Sequence, residues 1–194
     1  MKHLIAALLT LLLAAPPIVT PSQASEFRVG DRLKSGAAPA RSSRVQEITW
    51  DDLLPAGWDP LEMVKGLNLD ALDDNDPRAI EAMNKLKAAW QNAPSNHAMA
   101  GRNVRIPGFV VPLEFGRDQL REFLLVPYFG ACIHVPPPPP NQVIHVVFPQ
   151  PVKVKSMQAV WVQGTLELAS KKSHLGDSSY RLNAAQVEPY REKR

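Results

Sequence analysis

Val104-Arg105-Ile106-Pro107-Gly108-Phe109-Val110-Val111-Pro112-Leu113-Glu114-Phe115 is the stretch on which the fold turns. Its β-branched and aromatic residues suit a pleated, half-buried strand, and Pro107-Gly108 inside it marks a bend. Similar short runs follow, at 120–126, 143–148, 159–168 and 180–182, separated by Gly, Pro and polar residues. Gly116-Arg117-Asp118 reads as a hairpin turn, and the 171–179 segment with Gly176-Asp177 as a second connection. Five strands of this size, with a bend in the first and Gly164 inside the longest, suit closure better than a flat sheet. The expected fold class is mainly β: a small OB-like five-stranded barrel over residues 103–190, with a β-sandwich as the alternative.

Upstream of the strands the pattern is helical. Asp76-Pro77 is a helix start, Asp as cap and Pro at the first helical position. Ile80, Met83, Leu86 and Trp90 then recur at spacings of three and four, which predicts an amphipathic helix ending before Pro94 with that stripe in the core. Asp73, Asp74 and Asp76 lack the glycine and distal Glu of a calcium loop, so the cap explains them better. Thr49 is placed to cap a short turn carrying Asp51 and Asp52, with Trp50, Leu53 and Leu54 as apolar contacts. Residues 47–102 are therefore expected to form a helical extension. Residues 25–46, rich in Ser, Ala, Arg and Pro, read as a flexible leader, with order beginning near Ile48.

The first 24 residues have the grammar of a secretory signal: Lys2 and His3, an apolar run over 4–15, and Ser22-Gln23-Ala24 as a small-residue cleavage site. The run is shorter than the ~20 residues of a membrane span, and no second one follows. A soluble periplasmic protein starting near Ser25 is expected. Formal net charge is only +3, with Lys and Arg scattered, so the electrostatic footprint of a nucleic-acid binder is missing.

Against this background Gly130-Ala131-Cys132-Ile133-His134-Val135, five prolines at 136–140, and Asn141-Gln142 stand out. Prolines fix φ and lack an N–H, so the run should be a stiff polyproline II connection between two strands. Cys132, the single cysteine, and His134 are two apart; on an extended segment they would share a face. Thiolate and imidazole together suit zinc or copper, but a zinc site takes three or four protein ligands. His145 and Glu114 are the first candidates to complete it, His97 and His174 the next. Left without metal, Cys132 and His134 are core residues and Asn141 and Gln142 satisfy backbone groups, while His145 lines the core or the barrel lumen and Glu114 is an exposed strand end. Thiol catalysis fits poorly, because residues two apart on a strand have Cα atoms ~6–7 Å apart and parallel side chains. No serine-triad elbow, phosphate loop or dinucleotide fingerprint is present.

These residues carry a resemblance. Pro107 through Glu114, Glu122 through Gln142 with Tyr128, Cys132, His134, Pro136, Asn141 and Gln142 in it, and Trp161 through Leu166 are similar to a family of bacterial exported proteins and lipoproteins classed only as a domain of unknown function. The resemblance spans roughly residues 46–190. It implies a periplasmic companion of ABC-type export or metal-uptake systems, some members tied to zinc limitation. Lipoprotein members carry a lipid-attachment cysteine, and this sequence has none near its cleavage site. The expectation is a non-catalytic accessory protein of a transport or envelope system that binds zinc through Cys132 and His134, or else a protein-binding or structural module without metal.

Overall fold

The computed structural model describes residues 27–35, 45–59, 62, 65, 73, 76–114, 116–117, 119–135 and 137–191. Six strands make one sheet: β1 (Gln46–Glu47), β2 (Asn103–Pro112), β3 (Leu120–Val126), β4 (Ile144–Val152), β5 (Ala159–Lys171) and β6 (Ser178–Pro189). The order is β1-β2-β3-β4-β6-β5, and β5 also pairs with β2, so five strands close a ring of hydrogen bonds. Pairing in the ring is antiparallel except between β4 and β6, and β1 adds to β2 in parallel. This is the mainly β, barrel-like closure expected of an OB-like chain.

The period of two decides which side chains enter the ring. Ile106 and Val110 of β2, Phe123 and Leu125 of β3, Ile144 and Val146 of β4, Val162 of β5, and Tyr180 and Leu182 of β6 are buried in one cluster. Two glycines let the strands come close. A Cβ on Gly164 would run into the Asn183 carbonyl across β5 and β6, and one on Gly108 would press on Leu125 of β3. β6 runs far beyond the three residues expected, because Ser178, Tyr180, Leu182 and Ala184 keep the alternation with small and polar members.

The region before the ring plugs it. Trp50 and Leu53 are buried on a 3-10 turn (Asp51–Leu53), where Thr49 Oγ1 accepts from the Asp52 N–H and Asp52 Oδ2 accepts from the Thr49 N–H. Trp50 Nε1 donates to the Pro107 carbonyl at 2.7 Å, and the Tyr180 hydroxyl to that of Leu53 at 2.7 Å. Met99 joins them from a second 3-10 turn (His97–Met99).

Helix α1 (Pro77–Gln91) starts where expected, with Asp76 Oδ1 accepting from the Arg78 N–H. Its stripe does not behave as expected. Ile80, Met83 and Trp90 are 49%, 63% and 43% exposed, Leu86 is half-buried, and Ala82 is the buried residue. Trp50, Leu53 and Met99 already fill the mouth of the ring, which leaves no place in it for the stripe.

A second difference lies upstream. Residues 27–35, expected within a flexible leader, form a strap on the outside of the ring, and order therefore begins well before Ile48. The Gly30 N–H donates to the Phe129 carbonyl, the Phe129 N–H donates to that of Asp31, both at 2.9 Å, and Arg32 bridges to Tyr128. Residues 1–24, expected to be a secretory signal, lie outside the described residues.

Candidate functional site

The Cys132 motif connects β3 to β4, as the polyproline reading requires, but its first half is a turn. Gly130 takes φ 87° and its carbonyl collects the N–H groups of Ile133, His134 and Val135 at 3.3, 2.8 and 3.2 Å. Cys132 sits in the left-handed region at φ 65°, uncommon for a residue with a Cβ. Cys132 and His134 therefore do not share a face of an extended segment: the thiol is half-buried and the imidazole exposed. The physical reason is Gly130, which curls the chain before the prolines can stiffen it.

Cys132 belongs to an outer apolar cluster. Phe109, Val111, Leu124, Val126 and Val143 face away from the ring interior and are covered by Phe27 and Leu33 of the strap, by Tyr128, Phe129 and Ile133 of the turn, and by Met157 and Leu175. Phe27 and Phe129 both meet Phe109 edge-on, with ring centroids 5.2 and 5.6 Å away. Gly176 brings its loop against Pro137 and the Cys132 Sγ. Burial pushes the thiol up to about 11, and raises the Tyr128 hydroxyl above its ordinary value. At neutral pH this thiol is protonated and a poor nucleophile.

At the end of the motif both side-chain amide N–H groups are engaged, while Asn141 Oδ1 is buried without a partner among the described residues. Pro138 and Pro139 are buried, and Pro140–Gln142 make one 3-10 turn, so the proline rail ends in helical geometry that was not expected. Asn141 Nδ2 donates to the Pro94 carbonyl at 2.9 Å, and Gln142 Nε2 to that of Trp50 at 2.8 Å. Both side chains satisfy backbone groups, although on the 50–53 and 94 segments instead of beside the prolines. Pro136 lies outside the described residues.

The expected metal ligands do not gather. His145 faces outward from β4, between the inward Ile144 and Val146, so it does not line the lumen, although it is buried on the outer face. Its Nε2 lies 2.6 Å from Glu122 Oε2, which also accepts from Lys171 Nζ at 2.7 Å. Glu114 is an exposed strand end paired to Arg117 at 2.7 Å, and His97 and His174 are exposed. Among the described residues no three His, Cys, Asp or Glu side chains form a group able to hold a metal ion.

The Glu122-His145-Lys171 knot is the polar centre that motif reading missed. Burial holds His145 below its ordinary value against the opposing pull of Glu122, while the hydrogen bond from Lys171 holds Glu122 below its own. A neutral His145 donates Nε2–H to the carboxylate, and the 3.2 Å between Nε2 and Nζ follows from two donors sharing one oxygen. One signal in the sequence points to Glu122. Leu120 and Phe123 both face the core, so Arg121 and Glu122 between them both face out, the mark of a bulge.

Among the described residues no helix is long and apolar enough to cross a membrane. The family model for a protein of unknown function (DUF3299) matches residues 50–189, and the chain belongs to that family. It is similar to the crystal structure of a DUF3299 family protein from Pseudomonas aeruginosa PAO1, with 37% identity over 78% of this chain and 99% of that one and a TM-score of 0.56. A search of curated proteins finds no match.

Proposed function

We propose that this DUF3299 member is an exported, non-catalytic accessory protein of the cell envelope in which the Cys132-to-Gln142 motif is a structural latch. One observation carries the reading: every polar side chain of the motif's end is turned onto a backbone carbonyl of another segment, while the thiol is packed among apolar groups. Such a motif fastens the outer strap, the β3–β4 connection and the Trp50 turn to the ring. It offers neither an activated nucleophile nor a converged ligand set.

Export rests on the leader grammar of residues 1–24, and the envelope setting on the resemblance to periplasmic companions of ABC-type transporters. The working partner is then an envelope or transport protein. Expression in a bacterial host with fractionation tests this directly. The expected result is a periplasmic protein whose N-terminus is at or near Ser25 and which crosslinks to an envelope protein. A cytoplasmic protein retaining residues 1–24 would overturn it.

A further inference from the structure

β3 and β4 do not stay paired along their length. Leu120 lies opposite Val152 and Glu122 opposite Val147, so β4 takes five steps (152 to 147) where β3 takes two (120 to 122). The four residues 148–151 stand opposite Arg121 alone, a surplus of three, and Pro149 and Pro151 among them carry no N–H to invite another strand. Beside this bulge is a groove of about 440 Å³ lined on its apolar side by Leu120, Val147, Phe148 and Pro151; Leu120 and Phe148 belong to the core, so Val147 and Pro151 supply its accessible apolar surface. Glu114, Arg117, Gln119, Arg121 and Glu122 form its rim. The volume falls in the ~300–1,000 Å³ range of small-molecule sites, and the place is apt. In OB-folds the face of the second and third strands, here β3 and β4, is a ligand-binding face.

The charges decide what the groove accepts. Arg117 is paired to Glu114, and Glu122 is occupied by Lys171 and His145. Arg121, thrown outward by the bulge beside Glu122, has no hydrogen bond or ion pair with any described residue. One open guanidinium above an apolar floor matches one carboxylate on an apolar body, since its planar fork binds a carboxylate through two hydrogen bonds. We propose that the groove between β3 and the bulge of β4 binds a carboxylate-bearing apolar ligand about the size of one aromatic ring, the carboxylate on Arg121 and the apolar part on Val147 and Pro151. This site is separate from the latch, and its failure leaves the thiol behaviour of Cys132 untouched.

The test is a ¹H–¹⁵N titration of the purified full chain with N-acetylphenylalanine. Saturable shifts are expected at Gln119, Arg121, Glu122, Val147, Phe148 and Gln150, with binding weakened about tenfold or more by Arg121→Gln or by replacing the probe with N-acetylphenylalaninamide. Val147→Phe, which fills the groove, should abolish the shifts while leaving the exposed arginine in place. A short peptide ending in phenylalanine that binds more tightly than the free acid would assign the carboxylate to a peptide C-terminus, and equal binding to a small acid; either supports the site. Absence of saturable shifts up to the probe's solubility limit, or shifts indifferent to both Arg121→Gln and the amide, would overturn it.

Discussion

The outer face of β2, β3 and β4 has two halves built from the same strands. In one, Phe109, Val111, Leu124, Val126 and Val143 are sealed under the strap and the Cys132 turn. In the other, two residues along β3 from Leu124, Glu122 ties His145 and Lys171 together beside an open groove. Leu124 and His145 face each other across the β3–β4 ladder, so the border passes between directly paired residues. The contrast shows how one sheet divides its labour: apolar side chains on the outside demand a cover, and the chain supplies it from the 27–35 strap and the Cys132 turn, whereas a polar cluster holds itself in water's presence and leaves the neighbouring surface free.

The largest effect is expected where the sealed half is densest. Phe109 is fully buried and meets both Phe27 and Phe129, so Phe109→Ala should cost ~3–5 kcal/mol, measured by urea or thermal unfolding. Phe27→Ala, which loosens the cover but leaves the sheet intact, should cost ~1–2 kcal/mol. It should also raise binding of an apolar dye. An unchanged stability for both would erase the distinction between the halves.

The polar half should respond weakly. The side chains of Glu122 and Lys171 are 43% and 32% exposed, so solvent screens their pair, and Glu122→Gln should cost no more than ~1 kcal/mol by the same unfolding measurement. Its signature is pH. Glu122 is held low by Lys171, so its contribution is complete above its ordinary value of ~4.3 and is lost as pH falls through the lower folded value. His145 is held low by burial, so stability is full above ~6.5 and declines as pH falls from there towards its folded value. Unfolding free energy followed from pH 7 down to 5 should therefore slope in the parent protein and flatten in His145→Asn, the smallest of these effects. An equal slope in both would remove His145 from the account.

How far these halves could be read from residues alone differs. The ring strands were legible because alternation and turn residues agree: 120–126 coincides with β3, and Asp76-Pro77 opens α1. The strap was not, because Phe27 and Leu33 stand among polar residues and their burial depends on an outer sheet face no local pattern describes. The stripe of α1 misled for the converse reason: periodicity reports an apolar face, while tertiary competition decides whether it is covered. Cys132 and His134 were legible as unusual residues but not as a geometry, since one positive φ at Gly130 converts a shared face into a turn. Glu122, Arg121 and Lys171 belong to no motif and become a site through a register shift between distant strands.

The central claim is that the Cys132 motif holds the sealed half together and performs no chemistry, and the thiol itself tests it most directly. The pH dependence of Cys132 alkylation by iodoacetamide in the native full chain should show an apparent pKa near 11, with labelling at neutral pH far slower than after unfolding. A thiol that titrates at or below the ordinary ~8.5 and labels readily in the folded protein would contradict the latch.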